Sequence, residues 1–119
     1  ILCDPEHPAL AGFPTEFHSD WQWWYAISNA APMMLDGLPQ SLRPIVQVVD
    51  DWVTNRKLAL VWEARVGKGR LLVTSIDLRG ELDPARRQLR SSLLAYAGGE
   101  TFAPKQAVTL AEVASLIVP

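Results

Sequence analysis

Residues 58–77 read LALVWEARVGKGRLLVTSID, and this stretch decides the fold. Its two ends, LALVWEAR over residues 58–65 and RLLVTSID over residues 70–77, are mainly apolar, and the second also holds the β-branched Val73, Thr74 and Ile76, which is typical of strands. The segment between them, residues 66–69 (VGKG), contains two glycines that can adopt positive φ and favours a turn. The stretch therefore predicts a hairpin of two strands.

A further β-branched segment, residues 45–50 (IVQVVD), precedes this hairpin and predicts another strand. Short connections join consecutive strands only when those strands run antiparallel. The sequence therefore predicts an antiparallel β-meander over residues 45–77.

Helical patterns lie on both sides of the meander. A helix is predicted over residues 83–97, because Asp83 is a favourable N-cap and Pro84 suits the first helical position. A Thr109-to-Glu112 capping box predicts a short last helix. Strands and helices together predict an α/β or α+β domain.

At 119 residues the chain is long enough for one domain with its own core. We expect this domain to comprise residues 1–104, followed by a C-terminal tail, residues 105–119, that carries the short helix. The first five residues, ILCDP, include no initiator Met, basic region or apolar signal core. We therefore expect a fragment of a longer polypeptide.

Residues 13–25 (FPTEFHSDWQWWY) hold three of the five tryptophans. A Ser19-to-Gln22 capping box predicts a helix over residues 19–30, which Pro32 ends. One face of this helix holds Trp21, Trp24, Tyr25 and Ser28, and another holds Trp23, Ile27 and Ala30. Since apolar residues lie on more than one face, we expect the helix to be covered on more than one side and to act as a buried aromatic wedge.

Composition limits the classes of function. The net charge of −2 gives no basic surface for nucleic acid, which we do not expect as a partner. No apolar run approaches the roughly 20 residues of a membrane span. The single cysteine, Cys3, excludes an intrachain disulfide and a cysteine-based zinc cluster.

The N-terminal segment contains the candidates for nucleophilic and metal chemistry. Cys3 with a histidine base would form a catalytic pair, but the Asp-Pro that follows Cys3 does not form the sharp turn that positions such a nucleophile. Four side chains have metal-ligand chemistry: His7, Glu16, His18 and Asp20. Because no ligand pair has helical metal-site spacing, we expect these groups to hydrogen-bond their loop.

Two other patterns have a structural and a chemical interpretation. Residues 67–69 (GKG) lack the full phosphate-loop pattern and lead into a strand, so they are interpreted as a hairpin turn. Paired carboxylates of a glycosidase would have to lie about 5–10 Å apart. The candidates are Glu16, Asp20, Asp50, Asp51, Glu63 and Asp77, and spacing alone cannot pair any two of them.

Four strings carry a resemblance to a known family: HPALAGFPTEFHSDWQWW, RPIVQVVDDW, NRKLALVWEARVGKGRLLVTSIDL and ARRQLRSSLLAYAGG. They resemble the C-terminal region of bacterial glycoside hydrolase family 2 proteins, which are large β-galactosidase-like enzymes with several domains. The resemblance covers about residues 3–104. The catalytic glutamates of that family belong to its barrel, and no barrel motif is present, so no catalytic residue is transferred.

The hairpin at residues 58–77 with the helix at 83–97 more loosely resembles the last third of a glutamine amidotransferase-like fold. This class I, flavodoxin-like fold includes the trimerisation-type domain of β-galactosidases. An active amidotransferase would carry a glycine-flanked cysteine and a His-x-Glu motif after the third strand. This chain has Ile76-Asp77-Leu78 there, so the resemblance implies a partial domain without glutaminase activity.

The resemblance implies a non-catalytic accessory domain of a family 2 glycoside hydrolase, for interdomain packing or oligomerisation. The alternative is a carbohydrate-binding module in which residues 21–24 stack on sugars. Contacts to a ligand or to other domains are expected from Glu16, His18, Asp20, Trp21, Gln22 and Trp24. A small independent enzyme, using Cys3 or a carboxylate, is a third hypothesis.

The expected partners are the remaining domains of the parent glycoside hydrolase, carbohydrate, or further copies of the chain. No metal and no cofactor are expected, and neither is a membrane. The resemblance implies export to the periplasm or the cell exterior, which the N-terminal residues do not themselves indicate.

Overall fold

The computed structural model describes residues 2–16, 23–27, 30–39, 41–49, 56–80 and 83–116. Within these ranges the chain forms six strands, three α-helices and one 3-10 helix. In chain order they are β1 (Leu2–Cys3), the 3-10 helix (Pro8–Leu10), α1 (Trp23–Ile27), β2 (Met33–Met34), β3 (Val46–Val49), β4 (Lys57–Val66), β5 (Gly69–Thr74), α2 (Pro84–Ala97), β6 (Ala107–Val108) and α3 (Leu110–Ala114).

Strand β4 is the centre of one sheet. β3 and β2 pair with opposite sides of its first half, and β1 pairs with the far side of β3. β5 continues along the β2 side of β4, and β6 along the β3 side. Among the described strands only the β4–β6 pairing is parallel. The predicted antiparallel meander is therefore confirmed, and of the two predicted fold classes the domain is α+β.

A β-bulge in β4 decides which face of the sheet each of its side chains occupies. The register with β3 skips one residue of β4 between Ala59 and Val61, so Leu60 is the extra residue. Leu60 and Val61 consequently pack in the same core, whereas Ala59 packs in the other. Beyond the bulge, the side chains of β4 again alternate between the two faces, but shifted by one residue relative to the start of the strand. Glu63 therefore lies on the face occupied by Val61.

Both faces of the sheet are covered. The helix-side core lies between the sheet, the N-terminal segment, α1 and α2, and Trp23 at its centre is fully buried. The opposite core includes Leu35, Leu42, Trp62 and Val108. Because β4 is covered on both faces, its apolar residues form a nearly continuous run.

Two of the three predicted helix starts, at Asp83 and Thr109, are confirmed. The Asp83 side chain accepts a hydrogen bond from the backbone N–H of Arg86 at 3.0 Å, and α2 ends before Gly98. At α3, Thr109 and Glu112 form the reciprocal capping box that the sequence predicts. Residues 105–116, predicted as a tail, also add β6 to the sheet.

The third strand is shorter than predicted. The strand expected over residues 70–77 is β5, and it ends at Thr74. Thr74 Oγ1 accepts a hydrogen bond from the Ile76 N–H at 3.1 Å, and Asp77 Oδ1 accepts one from the Arg79 N–H at 3.1 Å. β2 pairs with the same side of β4 at Leu58 and Ala59, so the β4–β5 ladder does not extend to Asp77, and the predicted strand end at Asp77 is wrong.

The described part of the predicted 19–30 helix is α1. The Ser19-to-Gln22 capping box lies outside the described residues, so the predicted start stays a prediction. No helix in the described part of the chain is long and apolar enough to cross a membrane.

Candidate functional site

An open groove lies between β5, the segment that follows it, and α2; we call it the β5–α2 groove. Its volume is ≈ 700 Å³. Most of its lining is apolar and comes from Leu72, Ile76, Leu78, Leu93, Leu94 and Ala97. The Leu94 side chain, near the C-terminal end of α2, is 65% exposed. Large apolar side chains that line an open groove are typical of a contact surface.

One wall of this groove is the edge strand β5, which pairs only with β4 among the described strands. The Ser75 N–H donates to Leu60 O at 3.0 Å, and this bond fixes the phase of the β4–β5 ladder. In an antiparallel ladder every second residue bonds to the neighbouring strand, while the residues between turn their N–H and C=O outward. The outward residues of β5 are Arg70, Leu72 and Thr74.

The opposite end of the groove is built by the segment after β5, which two arginines of α2 hold in place. Arg86 donates to the backbone oxygen of Asp77 at 3.3 Å. Arg90 donates to the backbone oxygens of Leu78 and Gly80 at 3.3 and 3.4 Å. Gly80 has a φ of 69°, a conformation that favours glycine.

Among the described residues, this end of the groove has an excess of positive charge. There Arg79 and Arg90 line it beside one carboxylate, Asp77. The hydrogen bonds from Arg79 hold the pKa of Asp77 below its ordinary value. Arg86 adds a charge nearby, paired with Asp83 at 2.7 Å. The groove therefore combines an apolar wall with one cationic end, in a chain whose net charge is −2.

A second cluster, which we call the polar triad, lies inside the molecule on the helix-side face of the sheet. It comprises His7, Glu63 and Tyr96. His7 Nε2 lies 2.9 Å from Glu63 Oε1, and the Tyr96 hydroxyl donates to Glu63 Oε2. The side chains of His7 and Glu63 are 17% and 15% exposed, and Tyr96 is buried. The triad joins the N-terminal segment, β4 and α2 at one carboxylate.

The hydrogen bonds of the triad occupy its reactive atoms. The backbone N–H of Ala9 donates to His7 Nδ1 at 3.1 Å, so Nδ1 is unprotonated and Nε2 carries the hydrogen that bonds Glu63. Burial, followed by the bond to Glu63, raises the pKa of the Tyr96 hydroxyl. Both ring nitrogens of His7 and the hydroxyl proton of Tyr96 are therefore engaged in hydrogen bonds within the chain.

Aromatic side chains enclose the triad. The rings of His7 and Tyr96 meet edge-on at 5.2 Å, and Phe102 packs on Tyr96 at 5.1 Å. The Arg70 guanidinium lies over the Phe102 ring, 5.2 Å from its centroid, and donates to the Phe102 backbone oxygen. These contacts fix the residues after α2 against β5.

Comparison with known sequences adds one family. A family described as a domain of unknown function (DUF8487) matches residues 1–118. The chain belongs to this family. No curated protein matches its sequence significantly.

Of the six predicted contact residues, the structure describes two, Glu16 and Trp24. Glu16 is exposed, and the Trp24 side chain is 62% exposed. Trp24 lies largely in solvent and is not covered by the described residues. The predicted burial of the aromatic wedge is therefore wrong at Trp24. The other four, His18, Asp20, Trp21 and Gln22, lie outside the described residues.

Trp23 is the tryptophan that anchors α1. Its ring is fully buried, meets Phe13 edge-on at 5.0 Å and donates from Nε1 to Thr15 Oγ1 at 2.7 Å. Ile27 and Ala30, predicted on the same helix face, also pack against the helix-side core. The predicted division of the helix into two faces therefore corresponds to a buried and an exposed side for its described residues.

The remaining predictions concern Cys3, His7, metal binding and the turn at residues 66–69. Cys3 is buried in the helix-side core, which fits a packing role. His7 caps the 3-10 helix, so the expected hydrogen bonding of the loop is confirmed for this residue. Within the described ranges no three metal-ligating side chains lie close enough to bind an ion. The turn predicted at residues 66–69 is confirmed, with Gly67 at a φ of 58°.

The triad and the groove were not predicted from the sequence. In the sequence, Glu63 is one of six candidate carboxylates, and Tyr96 belongs to a predicted helix. One signal was available: Glu63 is the sole charged residue between Leu58 and Ala64, and a carboxylate within a buried strand needs hydrogen-bond donors.

Proposed function

We propose that the chain is a non-catalytic accessory domain of a glycoside hydrolase family 2, β-galactosidase-like enzyme, where it serves interdomain packing or oligomerisation. The observation that carries the packing role is the β5–α2 groove, with its apolar wall and the exposed Leu94. The connection to family 2 is supported by the sequence resemblance over residues 3–104 alone.

The two sites support this role in different ways. The groove leaves apolar side chains and a strand edge available, and such features are usually covered by a partner. The triad, which has the residue types of a catalytic site, has its hydrogen-bonding atoms occupied within the chain. A role in contact therefore fits the described residues better than a role in proton transfer.

The finer fold, a partial glutamine amidotransferase-like domain, is part of the proposal. The order of a hairpin, β4–β5, followed by α2 supports it. The antiparallel pairings weigh against it, because flavodoxin-like sheets are parallel.

The packing role is tested by measuring how the chain associates. We expect Leu94→Glu to weaken the association at least about tenfold, because it places a charge in the contact surface. Sedimentation velocity measures the association of the chain with itself, or with the other domains encoded in its reading frame. Leu110→Glu is the matched control, since Leu110 is 76% exposed on α3 and does not line the groove.

Three results would contradict the proposal. Equal association of both variants and the unmodified chain would remove the packing role. A reading frame without a glycosidase barrel would remove the connection to family 2. Hydrolysis of an aryl β-galactoside by the purified chain, lost in Glu63→Gln, would show that the domain is catalytic.

A carbohydrate-binding module is the second candidate, and the exposure of the Trp24 ring favours it. An exposed indole is a surface on which a sugar ring can stack. We expect calorimetric titration with galactosides, glucuronides and larger glycans to give heat that Trp24→Ala abolishes. Titrations without heat for every glycan would exclude this candidate.

A further inference from the structure

The outer edge of β5 lacks the devices that usually protect a strand edge. Natural edge strands carry lysines, prolines or bulges that prevent pairing with another chain. The outward residues Leu72 and Thr74 are uncharged, and Arg70 lies only at the hairpin end. Within the described residues no hydrogen-bond partner is found for the outward N–H and C=O groups of Leu72 and Thr74.

The position of this edge matters, because the edge is a wall of the β5–α2 groove. Leu72 and Thr74 line the groove together with Leu94 and Ala97 of α2. A chain segment next to β5 would have backbone donors and acceptors on one side and an apolar helix surface against one of its faces. An extended segment can bond to the backbone groups of β5 and also pack against the apolar surface of α2. A helix cannot pair with the edge of β5, because its own backbone groups are bonded internally.

We propose that the β5–α2 groove binds an extended peptide segment of a partner polypeptide, which adds as a strand to β5. This inference rests on the proposed function, because it names the occupant of the same contact surface. The three outward residues, Arg70, Leu72 and Thr74, define a pairing length of about five residues, which is a usual strand length.

The lining of the groove also sets the chemistry of the peptide. Successive side chains of a strand point to opposite faces, so every second peptide side chain meets the apolar wall formed by Leu72, Leu94 and Ala97. At the other end, Arg79 and Arg90 outnumber Asp77. The peptide therefore has alternating apolar side chains and an acidic group at the end that lies near Arg79.

The test uses a phage-displayed library of random peptides of about ten residues, selected against the full chain. The selected peptides are then synthesised, and their binding is measured by fluorescence anisotropy. We expect alternating apolar residues with an acidic residue at one end. Binding should be at least about tenfold weaker to the Leu94→Glu variant and unchanged for Leu110→Glu.

Backbone N-methylation of the synthetic peptide gives the decisive readout. Methylation removes an N–H donor, and in a paired strand only alternate N–H groups face β5. We expect binding to fall at least about tenfold for methylation at every second position and to stay within about twofold at the positions between, which serve as matched controls.

Several outcomes overturn the proposal. These are a library without enriched peptides, a loss of binding that does not alternate with the methylated position, and helical peptides as the selected class. A dimer of the chain that Thr74→Pro abolishes would instead make a second copy the occupant of the edge.

The inference and the proposed function can fail separately. If Leu94→Glu breaks association with the other domains while N-methylation has no alternating effect, the groove is a packing surface and the added strand is wrong. If peptides bind with the alternating pattern while association is insensitive to Leu94→Glu, the added strand stands and the packing role is wrong.

Discussion

The polar triad and the β5–α2 groove lie on the same side of the sheet, and they differ in how their polar groups are satisfied. In the triad, Glu63 accepts from two side chains and His7 uses both nitrogens, all within the chain. In the groove, the outward backbone groups of β5 have no such partners among the described residues, and Leu94 is exposed. The comparison indicates that the triad holds this domain together, while the groove is available to another chain.

The largest expected effect is at the triad. We expect Glu63→Ala to lower the free energy of unfolding by about 3 kcal/mol, because two buried hydrogen-bond donors, on His7 and Tyr96, lose a charged acceptor. Urea denaturation at neutral pH measures this change. Glu112→Ala, which removes an exposed capping carboxylate, is the control and should cost about 1 kcal/mol or less. Equal costs for both variants would contradict the structural role of the triad.

The second prediction concerns the Tyr96 hydroxyl at high pH. Its pKa is raised above the ordinary value of 10.0, so the unfolded chain loses this proton before the folded chain does. The stabilising contribution is fully present below pH 10.0 and is lost as pH rises above it, at about 1.4 kcal/mol per pH unit.

Comparison with Tyr96→Phe isolates this group from the other titrating residues. We expect the variant to be less stable by about 1 kcal/mol at neutral pH, because Glu63 loses a donor, and to show a shallower decline above pH 10.0. Thermal unfolding across this pH range measures both effects. Parallel pH profiles would contradict the assignment of the proton to Tyr96.

A smaller effect is expected at the end of the groove. We expect Gly80→Ala to cost about 1 kcal/mol, because a Cβ is strained at a φ of 69° even though nothing lies within 4 Å of it. Gly98→Ala is the control, since Gly98 has a right-handed helical conformation and should tolerate alanine. Chemical denaturation distinguishes the two, and an equal cost would show that the conformation of Gly80 is not constrained.

The smallest effect on stability is expected in the groove wall itself. Leu94→Glu should change the free energy of unfolding by less than about 0.5 kcal/mol, because the side chain is 65% exposed. The same variant should weaken association at least about tenfold. A large loss of stability would show that Leu94 supports the fold of the domain, and the contrast between triad and groove would then be wrong.

Local elements were predicted well, because their causes lie within a few residues of each other. The VGKG turn, the Asp83 cap and the Thr109 capping box all depend on contacts between near neighbours. The end of β5 was missed for a different reason. β2, which is distant in sequence, pairs with the same side of β4 at Leu58 and Ala59, and no local pattern shows where β5 stops.

The candidate site was less predictable. The sequence predicts contact residues around the tryptophans of residues 13–25, because a local density of aromatic residues is visible in a sequence. The triad instead joins His7 to Glu63, 56 residues apart, and Glu63 to Tyr96, 33 residues apart. No local pattern specifies such pairs, because they form only when three separate elements pack together.

The sequence by itself determined the meander, the starts of α2 and α3 and the α and β content, since hydrophobic patterning, turn glycines and caps act locally. Only the tertiary structure decided the side of the sheet on which Glu63 lies, because the bulge at Leu60 reverses the alternation of β4. Packing of α2 beside the outer edge of β5, which is unpaired among the described strands, likewise created the groove. Both depend on contacts between distant residues, which are decided when the whole chain packs and not by any single segment.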